Sequence, residues 1–479
     1  MIRPMRNVGA VALTLVLVLA ACGGPTATTP PTTSAPGTAA ATDPAATEPT
    51  GTEPTGTEPA ATEPAATEPA ATEPAATEPA ATDAASPDVS YQGPLEWWHL
   101  GYAPGGETAT SQLVDDAVAA YENSHPGIDI TVTGIPFSDE GLARLDTAIA
   151  AGSGPDIFRI ASDRLPGYGS QGVLSPIDDY LSDEDRADII PNLLEGVAYE
   201  GQHLAWPQWV PPIGFYLNNQ LLTDAGIEIP DSSWTVDQFV QMANDLSGDG
   251  VHGFATYMGT ASVNELTLLY NQGATVLSED NSEYTLNSEA GVKGLQTLVD
   301  LFTAGAMPPD STTIALADVE QGFVDGRFAM MTGGSGSIAN LKANEIDFTI
   351  LPPPIGDAGE TVTVGGMGTY AVPMKDDADR MAAAHALARY LTSADVAADV
   401  PGWYLAPGTR ESITVSDTTP EMAAFEEMLP FVRFMPLIEN WAQVDSAIHP
   451  EIQLALSGQK TAQQALDDAG VQITQQLGQ

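Results

Sequence analysis

Between Thr47 and Pro79 the unit Thr-Glu-Pro returns seven times at a five-residue period, inside a segment, 23–88, made almost wholly of Ala, Thr, Pro, Gly and Glu. A stretch without large apolar side chains has nothing to bury and forms no core. Proline at every fifth position biases the backbone toward polyproline II, and the spaced glutamates repel one another, so its reach lies between a coil's ~45 Å and a rod's ~200 Å. It reads as a stalk or as a neutral low-complexity expansion, and its Thr-Pro density would accept O-glycans. All tertiary structure must come from residues 89–479, more chain than one core usually supports, which predicts two lobes.

The chain carries 64 Asp and Glu against 15 Lys and Arg, a net charge of -49. Such a field repels nucleic acid and anionic lipid surfaces. The stalk supplies only a small part of it, so the globular region is acidic in its own right. Lysine occurs four times, at Lys293, Lys342, Lys375 and Lys460, a bias that fits a salty habitat and a GC-rich genome equally. The single cysteine, Cys22, excludes an intrachain disulfide framework and a cysteine-based metal cage. Arg3 and Arg6 precede an apolar run, Val8 to Ala21, too short for a comfortable membrane span, so 1–21 reads as an export signal. Its end, Leu19-Ala20-Ala21-Cys22-Gly23, resembles the lipobox of bacterial lipoproteins, which implies acylation of Cys22; the alternative is an ordinary secretory signal with an accidental cysteine. Two or three acyl chains hold a protein stably where one is marginal. The expected location is the outer face of the cell membrane, anchored by lipid, with residues 22–88 as the tether.

From Gly93 the texture changes. Leu95 to Leu100 reads as a strand, Ser111 to Ser124 as a helix with apolar residues at 113, 114, 117, 118 and 121, Ile128 to Val132 as an alternating strand, and Glu140 to Ala151 as a helix. A β-α-β-α order with short connections argues for a mostly parallel sheet covered by helices, an α/β fold. A turn at Gly152 to Asp156 leads to the strand Ile157 to Ile160. Further helices are expected at 235–246, 262–272, 288–304, 317–324, 376–391, 419–428 and 445–456.

Residues 152–177, Gly-Ser-Gly-Pro-Asp-Ile-Phe-Arg-Ile-Ala-Ser-Asp-Arg-Leu-Pro-Gly-Tyr-Gly-Ser-Gln-Gly-Val-Leu-Ser-Pro-Ile, closely resemble a stretch of bacterial maltose and maltodextrin-binding proteins. The likeness continues through Phe215-Tyr216-Leu217-Asn218, Ala225-Gly226-Ile227, Ser233-Trp234-Thr235, the run Phe323 to Met330 (an F-x-x-G-x-x-A-M signature) and the run Leu456 to Leu466. The chain thus resembles family 1 extracellular solute-binding proteins of ABC transporters, carbohydrate branch. That resemblance implies a two-lobe periplasmic-binding-protein type II fold, with three crossings and a ligand cleft between the lobes. By position the crossings fall near 209–213, 347–351 and 392–400, giving a first lobe of 89–209 plus 351–392 and a second of 213–346 plus 400–479. It further implies a monomer that captures a sugar, such as a di- or oligosaccharide of the α-glucoside type, and hands it to permease subunits, with no cofactor and no bound metal.

Sugars are held by planar polar groups that bridge neighbouring hydroxyls and by aromatic faces that cover the ring's C–H surface. Asp163-Arg164 matches the family pair that hydrogen-bonds glucosyl hydroxyls; on spacing alone Asp163 reads equally as a helix cap and Arg164 as a solvated charge. Trp98 matches a family tryptophan, and His99 opens the loop that should reach the cleft, although alternation makes one of Trp97 and Trp98 a core residue. Trp209 would offer a platform beside the first crossing or simply pack there. Ser335, within Gly333 to Gly336, and Gly366, within Gly365 to Gly368, would bring backbone N–H groups to a ligand or serve as plain turns. Tyr404 and Arg410 lie in a run that resembles the loop closing the family's site, and Trp441 falls about four residues before its stacking tryptophan. Two departures remove platforms: Ile160 and Gly336 stand where the family has tryptophans. Specificity would then have moved to a different or shorter sugar, or to another solute such as a polyamine or peptide. A cell-surface glycoside hydrolase is the alternative from another class, since carboxylates abound; against it, the chain has no nucleophile elbow, P-loop or H-E-x-x-H run, so a non-enzymatic role is expected.

Overall fold

The computed structural model describes residues 90–478 except 107, 137, 259–263 and 418. The export signal, the stalk and Cys22 lie outside the described residues. The described residues form one compact unit, built on two main sheets.

The first sheet begins with β1 (Gly93–Leu100), β2 (Ile128–Ile135) and β3 (Ile157–Ala161), separated by helices Ala109–Ser124 and Asp139–Ala150. β1 runs parallel to both, with Trp97 opposite Val132 and Ile157. Both faces of β1 are buried, Leu95 and Trp97 in one apolar cluster, Trp98 and Leu100 in another, as expected of a central parallel strand. Both tryptophans of the Trp97-Trp98 pair are therefore core residues. A hairpin follows, β4 (Ala198–Tyr199) and β5 (Gln202–His203), closed by Glu200 (φ 49°) and Gly201 (φ 80°); two left-handed residues give the turn whose twist suits paired strands. Next, β6 (Trp206–Trp209) joins the first sheet, and Val210 to Ile213 lead to β7 (Gly214–Asn218).

β7 is the centre of the second sheet, antiparallel to β8 (Met330–Gly333) and β9 (Phe348–Leu351). Trp234, buried beside Phe215 and bonded through Nε1 to the Pro352 carbonyl at 2.8 Å, anchors the start of helix Val236–Asp245. Thr235 and Gln238 cap that helix reciprocally. The second core gathers helices Glu289–Thr303, Trp441–Leu456 and Ala462–Leu477.

Two of the three crossings lie later in the chain than expected. After β9 the chain stays on the second sheet's side: Ile355 bridges Thr235, and the backbone of Val362 is held by the Asn271 side chain. Only after β10 (Thr363–Val364) do Gly365 to Met367 return it to β11 (Gly368–Ala371), the first-sheet strand antiparallel to β3 and β6, so 352–364 do not join the first lobe. Residues 400–412 in turn stay with the first lobe, because Gly408 bridges Trp209 and Arg410 bonds Thr392 and Asp185. The last passage runs through helix Ala423–Met428 and β12 (Val432–Arg433), which pairs with β10.

Candidate functional site

β1 and β3 are parallel, and β6 runs the same way because each is antiparallel to β11 or parallel to the other. Their carboxyl ends, at Gly101, Ala161 and Trp209, therefore share one edge, the edge outside which ligands bind in open α/β sheets. From the second sheet, β8 ends at Gly333 and β7 starts at Gly214 directly opposite it.

One cavity of about 380 Å³ is lined from both lobes: Asp146, Asp163, Arg164, Tyr168 and Gln171 from the first, Glu439 and Trp441 from the second. Asp163 sits in the short turn Ser162–Arg164 that ends β3, and no side chain caps this turn or the helix Leu165–Gly169 after it. The capping role is thus unfilled, and the carboxylate is left to face the cavity. Asp163 is reachable by solvent from the mouth yet flanked by both lobes. That burial pushes its carboxyl above the usual range, against the pull of Arg164 and two backbone N–H groups, and Asp445 adds to the push. Tyr168 donates to Asp146 at 2.5 Å. Trp441 opens helix Trp441–Leu456, which places Asp445 and His449 on the same face one and two turns on. Burial pulls the His449 imidazole down, but its hydrogen bonds to Asp445 (2.9 Å) and Glu265 and their charges prevail, pushing it up to about 10.

A second cavity, about 270 Å³, opens at the strand ends of the first lobe, bordered by the exposed Gly101 and Leu405. The β1–β3 register, Trp97 opposite Ile157 and Trp98 opposite Phe158, continues to set His99 beside Arg159, and Arg159 faces Tyr370 on β11. Gln208 of β6 joins them, and the Arg159 guanidinium lies 5.0 Å from the centre of the Trp209 ring. Burial, then the charge of Arg159, pulls His99 down to about 3, so it is neutral. Burial also lowers Arg159 from its usual value. Among the described residues no group of three or more His, Cys, Asp or Glu is arranged to hold a metal ion, and no helix is long and apolar enough to cross a membrane.

Set against the sequence expectations, Asp163, Arg164 and Trp441 come together at the first cavity, and His99 and Trp209 at the second. Three expected residues stand elsewhere. Trp98 is packed beneath Arg144, its Nε1 bonded to Glu96 at 2.6 Å, and lines neither cavity. Tyr404 is buried with its hydroxyl on the Ser393 carbonyl at 3.1 Å. Arg410, 4% exposed, is consumed by Thr392, Asp185 and Asp188. Ser335 is buried and reaches the Leu405 carbonyl at 3.4 Å, joining the second lobe to the rim of the second cavity. Gly366 is exposed on the return crossing with open space where a side chain would stand. Sequence reasoning missed Arg159, Gln208 and Tyr370; the available signal was a charge placed inside the apolar strand Ile157–Ala161.

The model of the bacterial extracellular solute-binding protein family matches residues 105–398. The chain belongs to this family. The proteins similar to it include a Brucella abortus binding protein, 23% identical over 369 residues that cover 75% of this chain and 88% of that one. The maltotriose-binding protein of Pyrococcus abyssi is 23% identical over 251 residues, 52% of each chain. Among solved structures, the cyclic alpha-maltosyl-1,6-maltose binding protein from Arthrobacter globiformis is similar with a TM-score of 0.69 and 21% identity, covering 81% of this chain and 99% of that one. Two-lobe sugar-binding proteins thus share this solute-binding protein's fold.

Proposed function

We propose that this chain is the capture component of an ABC importer, anchored through Cys22 on the outer face of the membrane, that closes its lobes on a sugar and presents it to permease subunits. The observation that carries the reading is the cavity where Asp163 and Arg164 of one lobe meet Trp441 of the other. A carboxylate and a guanidinium each fork two oxygens, an indole covers a sugar ring, and only closure brings them together. The relatives' cargoes, maltotriose in one and a cyclic maltosyl-maltose in another, point to a di- or oligosaccharide such as an α-glucoside. The crossings at 210–213, 365–367 and 413–434 would act as hinge, with Ser335 and Gly366 at the lobe border. Closure makes and breaks no covalent bond; ATP hydrolysis by the importer's own subunits would supply the energy.

One observation favours a second reading, a cationic solute such as a polyamine: Asp146, Asp163 and Glu439 outnumber Arg164 around the cavity. Calorimetric titration against mono- and oligosaccharides, polyamines and peptides separates the two. Micromolar affinity, about 8 kcal/mol, is expected for a saccharide, and Asp163→Ala should weaken it at least tenfold, about 1.4 kcal/mol. Silence with every saccharide alongside tight polyamine or peptide binding would overturn the sugar reading.

A further inference from the structure

The second cavity is lined by polar side chains that the fold leaves without partners. Six of the described arginines, at 186, 327, 380, 389, 410 and 433, reach a carboxylate. Among the described residues Arg159 reaches none, in a chain with 64 acidic residues. Arg144 and Arg164 also reach none, but both stand exposed, whereas Arg159 is half-buried against Trp209. Around it, His99 (4% exposed), Gln208 (3%) and Tyr370 (0%) carry Nδ1, Oε1 and hydroxyl atoms with no hydrogen-bond partner, and the neighbouring Trp97 adds an unpartnered Nε1. Burial pushes the Tyr370 hydroxyl's pKa up, but the Gln208 side chain lies close enough to pull against that, so these two groups partly answer each other. Buried polar groups are almost always paired, so unanswered ones packed behind one cavity, with Arg159 at its wall, single it out as a place for a ligand.

The chemistry of that something is set by the donors. A guanidinium presents a fork that fits two oxygens of one anionic group, and the Tyr370 hydroxyl and the His99 ring add hydrogen-bonding groups at the same cavity. Thr110, in the first turn of helix Ala109–Ser124, puts the helix's positive end at the same cavity. Gln208 Oε1 is an acceptor, suited to a hydroxyl. Leu113, Trp403 and Leu405 supply apolar wall. Long-range repulsion from the acidic surface does not forbid an anion here, because it is screened within about 8 Å at physiological ionic strength.

We infer that this cavity is an anion subsite centred on Arg159, which takes the carboxylate or phosphate of an acidic saccharide, so that the imported solute is a uronate-bearing or phosphorylated sugar. The inference rests on the solute-binding reading above and names its substrate class. The full chain is titrated with two matched pairs: a digalacturonate against the neutral digalactoside, and a hexose 6-phosphate against the free hexose. At least one acidic member should bind ten times tighter than its neutral partner, the winning pair telling carboxylate from phosphate. Arg159→Met should erase that preference, and Arg159→Lys, which keeps the charge but loses the fork, should fall between. The comparison within wild-type protein stands even where a variant folds poorly. Equal affinity within both pairs, with neutral sugars still bound, overturns the anion subsite and leaves the sugar reading intact; no binding by any saccharide overturns both.

Discussion

Two arginine neighbourhoods of the first lobe, around Arg410 and around Arg159, differ in the way that separates scaffold from site. Arg410 donates through Nε to the Thr392 carbonyl at 2.7 Å and through Nη1 to Asp185 at 2.9 Å, leaving only Nη2 over. Asp185 also takes Arg389 at 2.8 Å and closes a capping box with Ser182. Every charge there has been answered by the chain itself. Arg159 has an aromatic face and, among the described residues, no counter-charge. A guanidinium that the fold satisfies holds loops together; one that the fold desolvates without satisfying is available to a ligand. The hollow beside Arg410 lies at the C-terminal end of helix Ala109–Ser124, near Tyr121 and His125, away from the strand ends.

The sharpest way to break this contrast is Arg410→Met. It strips Asp185, 2% exposed, of one of its two cations, and breaking a buried pair costs about 3–5 kcal/mol. Urea unfolding at neutral pH should show that loss with solute affinity retained in the folded fraction; an unchanged midpoint would mean that the network is ornamental. Burial raises the Asp185 carboxyl, but Ser182, Arg410 and Arg389 together hold it below the usual range. A carboxyl depressed on folding contributes stability above its unfolded value, about 3.9, and loses it as pH falls through the folded one. Acidification below pH 4 should therefore destabilise the wild type more than the variant.

His449 repeats the satisfied pattern in the second lobe with the opposite pH sense. Its folded pKa, about 10, lies above an unfolded value near 6.5, so its contribution is complete below about pH 6.5 and is lost as pH rises toward 10. Glu265 and Asp445 face it directly, and Asp163 faces Asp445 from the other lobe. The melting temperature should fall between pH 7 and 10 by more in the wild type than in His449→Gln; equal falls would remove His449 from the account.

Replacing Arg159 by Met should do the reverse of the Arg410 change. Exchanging an unanswered, partly desolvated charge for an apolar side chain is neutral or stabilising, and it forfeits only a cation–π contact worth about 0.5–1 kcal/mol. The ligand-free variant should unfold at the same urea concentration as the wild type or a higher one. A loss approaching that of Arg410→Met would show that Arg159 is scaffold as well.

These two arginines also mark the limit of what the chain shows in one dimension. Helices with strong caps and clean periodicity were legible: 236–245 behind Thr235, and 289–303 behind Ser288. Helix Ala462–Leu477 went unread although Thr461 and Gln464 form a capping box, because its glutamines dilute the apolar stripe. The meeting of Asp163, Arg164 and Trp441 at one cavity was legible only through the family resemblance, which carries spatial knowledge that spacing lacks. The same resemblance misplaced Arg410, whose partner Asp185 lies 225 residues away, so that the later departure of the chain from the first lobe went unseen. The row His99, Arg159, Tyr370 is assembled by strand register from three distant segments; only a charge in an otherwise apolar strand hinted at it.

The smallest effect belongs to an arginine that is paired but exposed. Arg433 reaches Glu360 at 3.3 Å, with side chains 47% and 53% exposed. Water screens this pair, and holding two long side chains together offsets much of the gain, so Arg433→Gln should shift stability by less than about 0.5 kcal/mol. Raising the salt concentration should shrink even that. A larger loss would mean that the pair reports on its backbone, because Arg433 lies in β12, whose pairing with β10 ties the last passage between lobes. The three arginines then separate cleanly: desolvation decides how much a charge matters, and the presence of a partner decides whether removing it harms the fold or only the ligand.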